Sequence, residues 1–197
     1  MKKRVAVLIS GSGSNLQALI DAAKHPDYPA EIVLVISNRP GAYGIERATQ
    51  RGIKAMTIDH KAFENRKAFE QALHAALSDA QADIICLAGF MRILTAGFVN
   101  RWQDRILNIH PSLLPAFKGL NVQQQAIDAG AAESGCTVHM VTPDLDDGPI
   151  LGQRSVPVLA DDTAETLSAR ILKEEHILYP ESLARFAEKG LAATRKA

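Results

Sequence analysis

The sequence predicts an α/β fold: an open, twisted, mostly parallel sheet with helices on both faces and an antiparallel strand addition in the C-terminal half. Two observations lead to this prediction. Up to residue 109, short β-branched apolar runs alternate with segments of helical period, as in repeated β-α-β units. Further on, the apolar runs Cys136–Val141 and Ile150–Val158 follow one another without a helix between them, which favours an antiparallel pair.

The individual elements follow from these local patterns. Continuous apolar runs, typical of strands buried on both faces, cover Val5–Ser10, Ile32–Ile36, Ala55–Ile58, Ile84–Ala88 and Ile106–Ile109. Helical spacing covers Ser14–Lys24, Ala42–Gln50, Phe63–Leu77, Ala96–Trp102, Val122–Ala129 and Thr163–Lys189. Pro180 is a candidate kink in the last helix. We expect one domain over residues 1–190 and a flexible tail over residues 191–197.

Composition excludes several classes of function. The chain balances 22 Lys and Arg against 22 Asp and Glu, so an extended nucleic-acid surface is not expected. The start lacks the apolar core of a signal peptide, and no apolar stretch reaches membrane-spanning length. Cys86 and Cys136 lie in apolar stretches typical of buried reduced thiols, and the histidines show no metal-ligand spacing. These observations predict a cytoplasmic protein without a metal or a membrane partner.

The glycine-rich segment Gly11–Asn15 joins the first strand to the first helix. Glycines permit close backbone approach and a helix N-terminus attracts anions, so this loop is a candidate phosphate cradle. An ordinary glycine-rich turn capped by Ser14 explains the pattern equally well. A dinucleotide site is not expected, because Leu16 stands where a third glycine is needed and the second strand ends in Ser37-Asn38 without an acidic residue.

Asn108 and His110 lie two residues apart at the end of the fifth predicted strand, so their side chains point the same way. An amide donor beside an imidazole suits a developing oxyanion, and the imidazole can also carry a proton. A structural histidine next to a turn-capping asparagine is an equally compatible interpretation. The polar turn Thr142–Gly148 supplies carboxylates at positions 144, 146 and 147, and spacing alone does not select among them.

Four segments resemble the folate-dependent glycinamide ribonucleotide transformylases, in the family's order and over nearly the whole chain. They are VLISGSGSNLQALI, AGFMRIL, LNIHPSLLP and LDDGPI. HPSLLP is shared with other folate formyl-transferring proteins, whereas GSGSNLQAL is more selective for this family. The resemblance implies a Rossmann-like formyltransferase fold, with the formyltransferase domain spanning residues 1–190. It also implies small-molecule substrates, with 10-formyltetrahydrofolate as co-substrate. Both a monomer and a homodimer are compatible with the sequence.

The resemblance implies three groups of site residues. The catalytic group is Asn108, His110 and Asp146, with the LDDG alignment selecting Asp146 from its neighbours. The group for the ribonucleotide phosphate and the glycinamide is Gly13, Ser14, Asn15 and Glu175. The folate group is Arg66, Met91, Arg92, Ile93, Leu94, Asn108, Thr142, Pro143, Asp144, Leu145 and Asp146. Arg66 and Glu175 are equally explained as exposed helix charges. Leu172 departs from a polar contact position of the family, so no contact is carried over there.

The implied reaction transfers the formyl group of 10-formyltetrahydrofolate to the amine of glycinamide ribonucleotide in purine biosynthesis. Asn108 and His110 would stabilise the oxyanion, and Asp146 would keep His110 protonated. A hydrolase of the same folate is the nearest rival, but its N-terminal regulatory domain is not expected before a strand that begins at residue 5.

Three other classes fit less well. A methionyl-tRNA formyltransferase would need a further RNA-binding domain, and the neutral charge fits tRNA poorly. An NAD-dependent oxidoreductase would need the missing dinucleotide fingerprint. A non-catalytic nucleotide-binding module would leave the Asn, His and Asp set unexplained.

Overall fold

A computed structural model describes residues 1–193 of the chain, and over these residues seven strands form one mixed sheet in the order β3-β2-β1-β4-β5-β6-β7. The strands are β1 (Lys3–Ile9), β2 (Ala30–Ser37), β3 (Ala55–Thr57), β4 (Ile84–Leu87), β5 (Ile106–His110), β6 (Glu133–Met140) and β7 (Ile150–Pro157). The helices are α1 (Ser14–Ala23), α2 (Tyr43–Thr49), α3 (Arg66–Asp79), α4 (Ala96–Arg101), α5 (Val122–Asp128) and α6 (Ala164–Lys189). The predicted α/β class, mostly parallel with an antiparallel addition, is confirmed.

The chain divides into two compact units, one of residues 1–107 and one that begins at Asn108. In the first unit β1 pairs in parallel with β2 and β4, and β2 pairs in parallel with β3. Val5 to Ile9 of β1 are fully buried, which is why this strand is a continuous apolar run. Because parallel strands end at one edge of the sheet, the loops after β1, β2, β3 and β4 share that edge, where open α/β sheets bind ligands.

Helix α3 begins later than its apolar pattern predicts. The spacing of Phe63 with Phe69 suggested a start at residue 63, but the Asn65 side chain accepts a hydrogen bond from Ala68 N at 2.9 Å, and the helix begins at Arg66. Residues His60–Ala62 form a separate 3₁₀ helix, and Phe63 packs edge-on against Phe69 from outside α3. A capping asparagine therefore overrides the period of the apolar residues.

No helix within residues 1–193 is long and apolar enough to span a membrane.

In the second unit β6 and β7 form the predicted antiparallel pair, with Cys136 opposite Arg154 and a register shift between Val138 and His139. Gly135 lies so close to β7 that a Cβ there would be 2.0 Å from the carbonyl oxygen of Arg154. Helix α6 packs against both strands.

The C-terminal helix α6 begins with a reciprocal cap. Thr163 Oγ1 accepts from Thr166 N at 3.3 Å, and Thr166 Oγ1 accepts from Thr163 N at 3.0 Å. The helix continues through Pro180 as one element. Gly190–Ala193 form a short 3₁₀ helix, and the rest of the predicted tail, residues 194–197, lies outside the described residues.

Candidate active site

Strand β5 presents Asn108 and His110 to a buried polar cluster in the second unit. Asn108 Nδ2 lies 3.2 Å from His139 Nε2, and His110 Nδ1 lies 3.6 Å from Asp146 Oδ2. His110 and His139 are almost fully buried, with 5% and 2% of their surface exposed. The fold thus brings together the three residues of the predicted catalytic group and adds a second histidine.

The carboxylate of Asp146 contacts both histidines. Its Oδ2 faces His110, and its Oδ1 lies 3.7 Å from His139 Nε2. The backbone N–H of Gly119 donates a 3.0 Å hydrogen bond to Oδ2. Asp146 itself has a φ of 49°, a left-handed conformation that non-glycine residues rarely adopt and that Asp tolerates better than most. Two loops therefore hold this carboxylate beside the imidazoles.

The other two aspartates of the turn point elsewhere. The side chains of Asp144 and Asp147 are exposed, whereas only 10% of the Asp146 side chain is accessible. Asp147 forms an ion pair with Lys118, which holds the pKa of its carboxyl below the usual value. Of the three carboxylates that spacing left open, Asp146 is the one that contacts His110.

The tautomer of His110 follows from its second contact. His110 Nε2 lies 3.0 Å from the carbonyl oxygen of Phe117, which can only accept, so Nε2 carries a hydrogen. The Ser112 hydroxyl also donates to this carbonyl, at 2.9 Å, and so helps to hold it in place. Proton exchange at His110 is therefore confined to Nδ1, the nitrogen that faces Asp146.

His139 is the residue of this cluster that the sequence did not identify. Its Nδ1 lies 2.8 Å from the carbonyl oxygen of Met140, so Nδ1 carries the hydrogen and Nε2 offers a lone pair. Burial lowers the pKa of His139, and the opposing effects of the Met140 carbonyl and the Asp146 charge are smaller, so the ring is neutral. A neutral Nε2 accepts from the Asn108 amide, which orients that amide and leaves its second N–H available. The only sequence signal was a polar residue in the apolar strand β6, two positions after Thr137.

The glycine loop of the first unit is shaped by packing. Gly13 has a φ of 70°, and a Cβ there would lie 2.7 Å from Gly44 Cα, so no larger residue fits. The Ser14 side chain does not cap α1, which begins at Ser14 with Gly13 as its N-cap residue. Asn15 is buried on the first turn of this helix. The start of α1 therefore lies next to an exposed residue, Gly11, and a helix N-terminus attracts anions.

The segment Met91–Leu94 and Arg66 also belong to the first unit. Met91 and Ile93 are exposed apolar side chains, and the backbone N–H of Met91 donates to Ser10 Oγ at 2.7 Å. The buried Glu70 accepts hydrogen bonds from Thr95 N, at 2.7 Å, and from the Thr95 hydroxyl. Arg92 is partly buried, Leu94 is buried, and Arg66 is exposed at the first position of α3. The segment is thus anchored at both ends while two apolar side chains face solvent.

The remaining predicted contacts lie in the second unit, in residues 142–145 and at Glu175. Thr142 Oγ1 donates to the carbonyl oxygen of Asp144 at 3.2 Å, and Leu145 is exposed. Glu175 is buried on α6, and so is not an exposed helix acid.

Burial and the nearby charge of Glu175 raise the pKa of the Cys136 thiol to about 12, so this buried cysteine is not a nucleophile. Within residues 1–193 no group of three or more His, Cys, Asp or Glu side chains is arranged to hold a metal ion.

Comparison with known proteins identifies the family. Residues 3–183 match the model of the formyl transferase family. The chain is 54% identical over 185 residues to the trifunctional purine biosynthetic protein adenosine-3 of Drosophila melanogaster, covering 93% of the chain and 14% of that protein. The chain thus spans about one seventh of the length of this relative.

Two further relatives are of similar size. Phosphoribosylglycinamide formyltransferase of Escherichia coli is 45% identical over 187 residues, covering 95% of the chain and 88% of the relative. The crystal structure of phosphoribosylglycinamide formyltransferase from Brucella melitensis is 53% identical, with a TM-score of 0.91 over 95% of this chain and 96% of that one. The family model matches most of the chain, and the chain contains a buried cluster of Asn, His and Asp. The chain therefore belongs to the formyl transferase family.

Proposed function

We propose that this protein transfers the formyl group of 10-formyltetrahydrofolate to the amine of glycinamide ribonucleotide, yielding formylglycinamide ribonucleotide and tetrahydrofolate. The observation that carries the proposal is the buried cluster of Asn108, His110, His139 and Asp146, which offers oriented N–H donors beside a carboxylate. The names of the relatives, phosphoribosylglycinamide formyltransferase among them, support the choice of the amine.

The reaction begins when the glycinamide amine attacks the formyl carbon, which is bonded to N10 of the folate. The carbonyl oxygen gains negative charge as the tetrahedral intermediate forms, and preorganised donors stabilise that charge. One N–H of the Asn108 amide is held by His139, and the second donates to the oxyanion. The orientation is set before substrate binds, so little reorganisation is needed when the charge develops.

His110 acts through Nδ1. With Nε2 bonded to the Phe117 carbonyl, a proton on Nδ1 makes the ring an imidazolium, which the Asp146 carboxylate stabilises by its negative charge. This proton is donated to the oxyanion or, as the C–N10 bond breaks, towards the folate nitrogen. The attacking amine loses a proton in the same step, and His110 Nδ1 or an ordered water accepts it, which restores the starting state.

The substrate contacts are part of the proposal. In the first unit, Gly13, Ser14 and Asn15 bind the ribonucleotide phosphate, because the positive end of the helix dipole at the start of α1 attracts an anion. Met91, Arg92, Ile93 and Leu94 bind the folate ring system, and Arg66 binds its glutamate tail. In the second unit, the backbone of residues 142–146 contributes to folate binding, and Glu175 binds the glycinamide ammonium or amide.

The test measures tetrahydrofolate release from 10-formyltetrahydrofolate with and without glycinamide ribonucleotide. Asn108→Ala and His110→Ala should each lower turnover about 100- to 1,000-fold, the usual loss of one oxyanion donor, while leaving phosphate-substrate binding largely intact. The matched controls Asn100→Ala and His25→Ala remove the same residue types from exposed positions and should retain normal turnover. Near-normal turnover in either site variant would contradict the assignment. Formyl release that is independent of the amine would instead identify a hydrolase.

A further inference from the structure

The glycine loop between β1 and α1 is supported from one side by helix α2. The Gly44 N–H donates a 3.1 Å hydrogen bond to the carbonyl oxygen of Gly11. A Cβ on Gly44 would lie 2.3 Å from Ile9 Cδ1 and 3.3 Å from Gly13 Cα, so the start of α2 fits against the loop without space for a side chain. The position of the loop therefore depends on a second helix as well as on its own glycines.

Arg47 extends this support further along α2. Residues three apart lie on one face of a helix, so Arg47 follows Gly44 towards the loop. Its Nε donates to the carbonyl oxygen of Ser12 at 2.8 Å, and its Nη1 donates to Gln17 Oε1 at 3.3 Å. The guanidinium carbon also lies 4.9 Å from the centre of the Tyr43 ring, within the range of a cation–π contact. The guanidinium is thus held against the loop and the first turn of α1.

The bond to Ser12 sets the direction of a peptide group in the middle of the loop. The peptide bond between Ser12 and Gly13 is trans, and in a trans peptide the carbonyl and the following N–H point in opposite directions. Because the Ser12 carbonyl faces Arg47, the Gly13 N–H faces away from it. Gly13 is the first of the residues that we assign to the phosphate, so Arg47 acts on that assigned site through the backbone.

Arg47 also places a positive charge beside a loop that has none of its own. Residues 10–17, SGSGSNLQ, contain no charged side chain. Within residues 1–193 the Arg47 guanidinium forms no ion pair, and its hydrogen bonds go to neutral oxygens. Arg154, by contrast, is paired with Glu174 and Glu181. A phosphate monoester carries a charge of about −1.5 to −2 at pH 7, so an uncompensated guanidinium beside the loop favours its binding.

We propose that Arg47 is a positioning residue for the phosphate of the ribonucleotide substrate. It fixes the peptide group between Ser12 and Gly13 and supplies the positive charge that the glycine loop lacks. The inference rests on the proposed function for the identity of the substrate. Because Arg47 is half-buried, its effect on phosphate affinity should weaken, without vanishing, as ionic strength rises.

The experiment compares two amine substrates of the full-length protein, glycinamide ribonucleotide and glycinamide riboside, which lacks the phosphate. The ratio of their kcat/KM values measures what the phosphate contributes to transition-state binding. Arg47→Met keeps an unbranched side chain but removes the charge and the N–H donors. In this variant the ratio should fall about tenfold, mainly through a higher KM for the ribonucleotide.

Two further variants give the comparison its controls. Arg47→Lys keeps the charge but loses the fork of donors, so its ratio should fall only about threefold. Arg51→Met removes an exposed arginine beyond the end of α2 and should keep the ratio of the unmodified protein. Thermal unfolding checks that each variant is folded.

The same comparison separates a positioning role from a purely structural one. A structural role would lower kcat/KM for both substrates by the same factor, and that result would overturn the inference. An unchanged ratio in Arg47→Met would overturn it as well. Equal losses in Arg47→Lys and Arg47→Met would show that the charge of Arg47 does not act on the phosphate, which also contradicts the inference.

A binding measurement distinguishes failure of this inference from failure of the proposed function. Calorimetric titration with ribose 5-phosphate should show about tenfold weaker binding to Arg47→Met than to the unmodified protein and to Arg51→Met. Absence of formyl transfer with this difference intact would overturn the proposed function alone. Equal affinity of the three proteins for ribose 5-phosphate, with formyl transfer intact, would overturn the inference alone.

Discussion

Replacing His139 by leucine tests the proposed role of this histidine in orienting Asn108. Leucine has a similar volume and fits an apolar strand, but it removes the lone pair that accepts from Asn108 Nδ2 at 3.2 Å. The Asn108 amide remains present, and its orientation is no longer imposed. The expected result is slower turnover with nearly unchanged KM, because the oxyanion donor acts mainly in the transition state.

The size of the effect can be bounded from the structure. Complete loss of an oxyanion donor, as in Asn108→Ala, raises the activation free energy by about 2.7–4 kcal/mol. This loss is the upper limit for the effect of His139→Leu. His139→Leu removes one orienting hydrogen bond, worth about 1–1.5 kcal/mol, so turnover should fall about tenfold. In an Asn108→Ala background the same change should have less than about a twofold effect, since no amide is left to orient.

The assay is steady-state formyl transfer at saturating substrate for the four proteins of this double-mutant cycle. His74→Leu provides the matched control, because His74 packs edge-on against Trp102 in the first unit and should leave turnover normal. Thermal unfolding checks that each variant is folded. Equal losses from His139→Leu in both backgrounds would show that His139 acts independently of Asn108 and would refute the orientation argument.

Three further predictions concern the same cluster and its loops. Asp146→Asn should slow turnover and change its pH profile, because the carboxylate no longer stabilises charge on His110; an unchanged profile would contradict this coupling. Burial lowers the pKa of His139, so at a pH below the ordinary pKa of histidine the unfolded chain takes up a proton that the folded protein does not. The free energy of unfolding should therefore fall as pH drops from 7 to 5. Denaturant unfolding should show a smaller fall in His139→Leu. Gly148→Ala would place a Cβ 1.8 Å from the Met140 carbonyl oxygen, so both thermal stability and turnover should fall. A variant with normal thermal stability and normal turnover would show that the turn adapts freely.

Much of the fold was predictable because its signals are local. The buried strand β1 and the adjacent strands β6 and β7 were predicted from continuous apolar runs of fewer than ten residues each. The start of α3 was wrong by three residues, since the apolar period extends back to Phe63 while the Asn65 side chain caps the helix at Arg66. Boundaries depend on such single hydrogen bonds, which a hydrophobic pattern does not reveal.

The candidate site was predictable only in part, for a similar reason. The pairing of Asn108 with His110 follows from the two-residue period of a strand. Their partner Asp146 was selected by family resemblance, since three aspartates of one turn look alike in sequence. His139 was missed because one histidine in an apolar strand has the same pattern whether it packs in a core or bonds a catalytic amide.

The sequence by itself determined the α/β class, the strand that carries Asn108 and His110, and a glycine turn suited to an anion, because each depends on residues close together in the chain. Residue spacing left open which carboxylate meets His110 and which nitrogen of each imidazole carries hydrogen, and the tertiary structure decided both. Those choices depend on the Phe117 and Met140 carbonyls and the Gly119 N–H. The contacts that result join β5 to side chains about thirty residues further along, and only packing of the folded backbone brings such groups within hydrogen-bond distance.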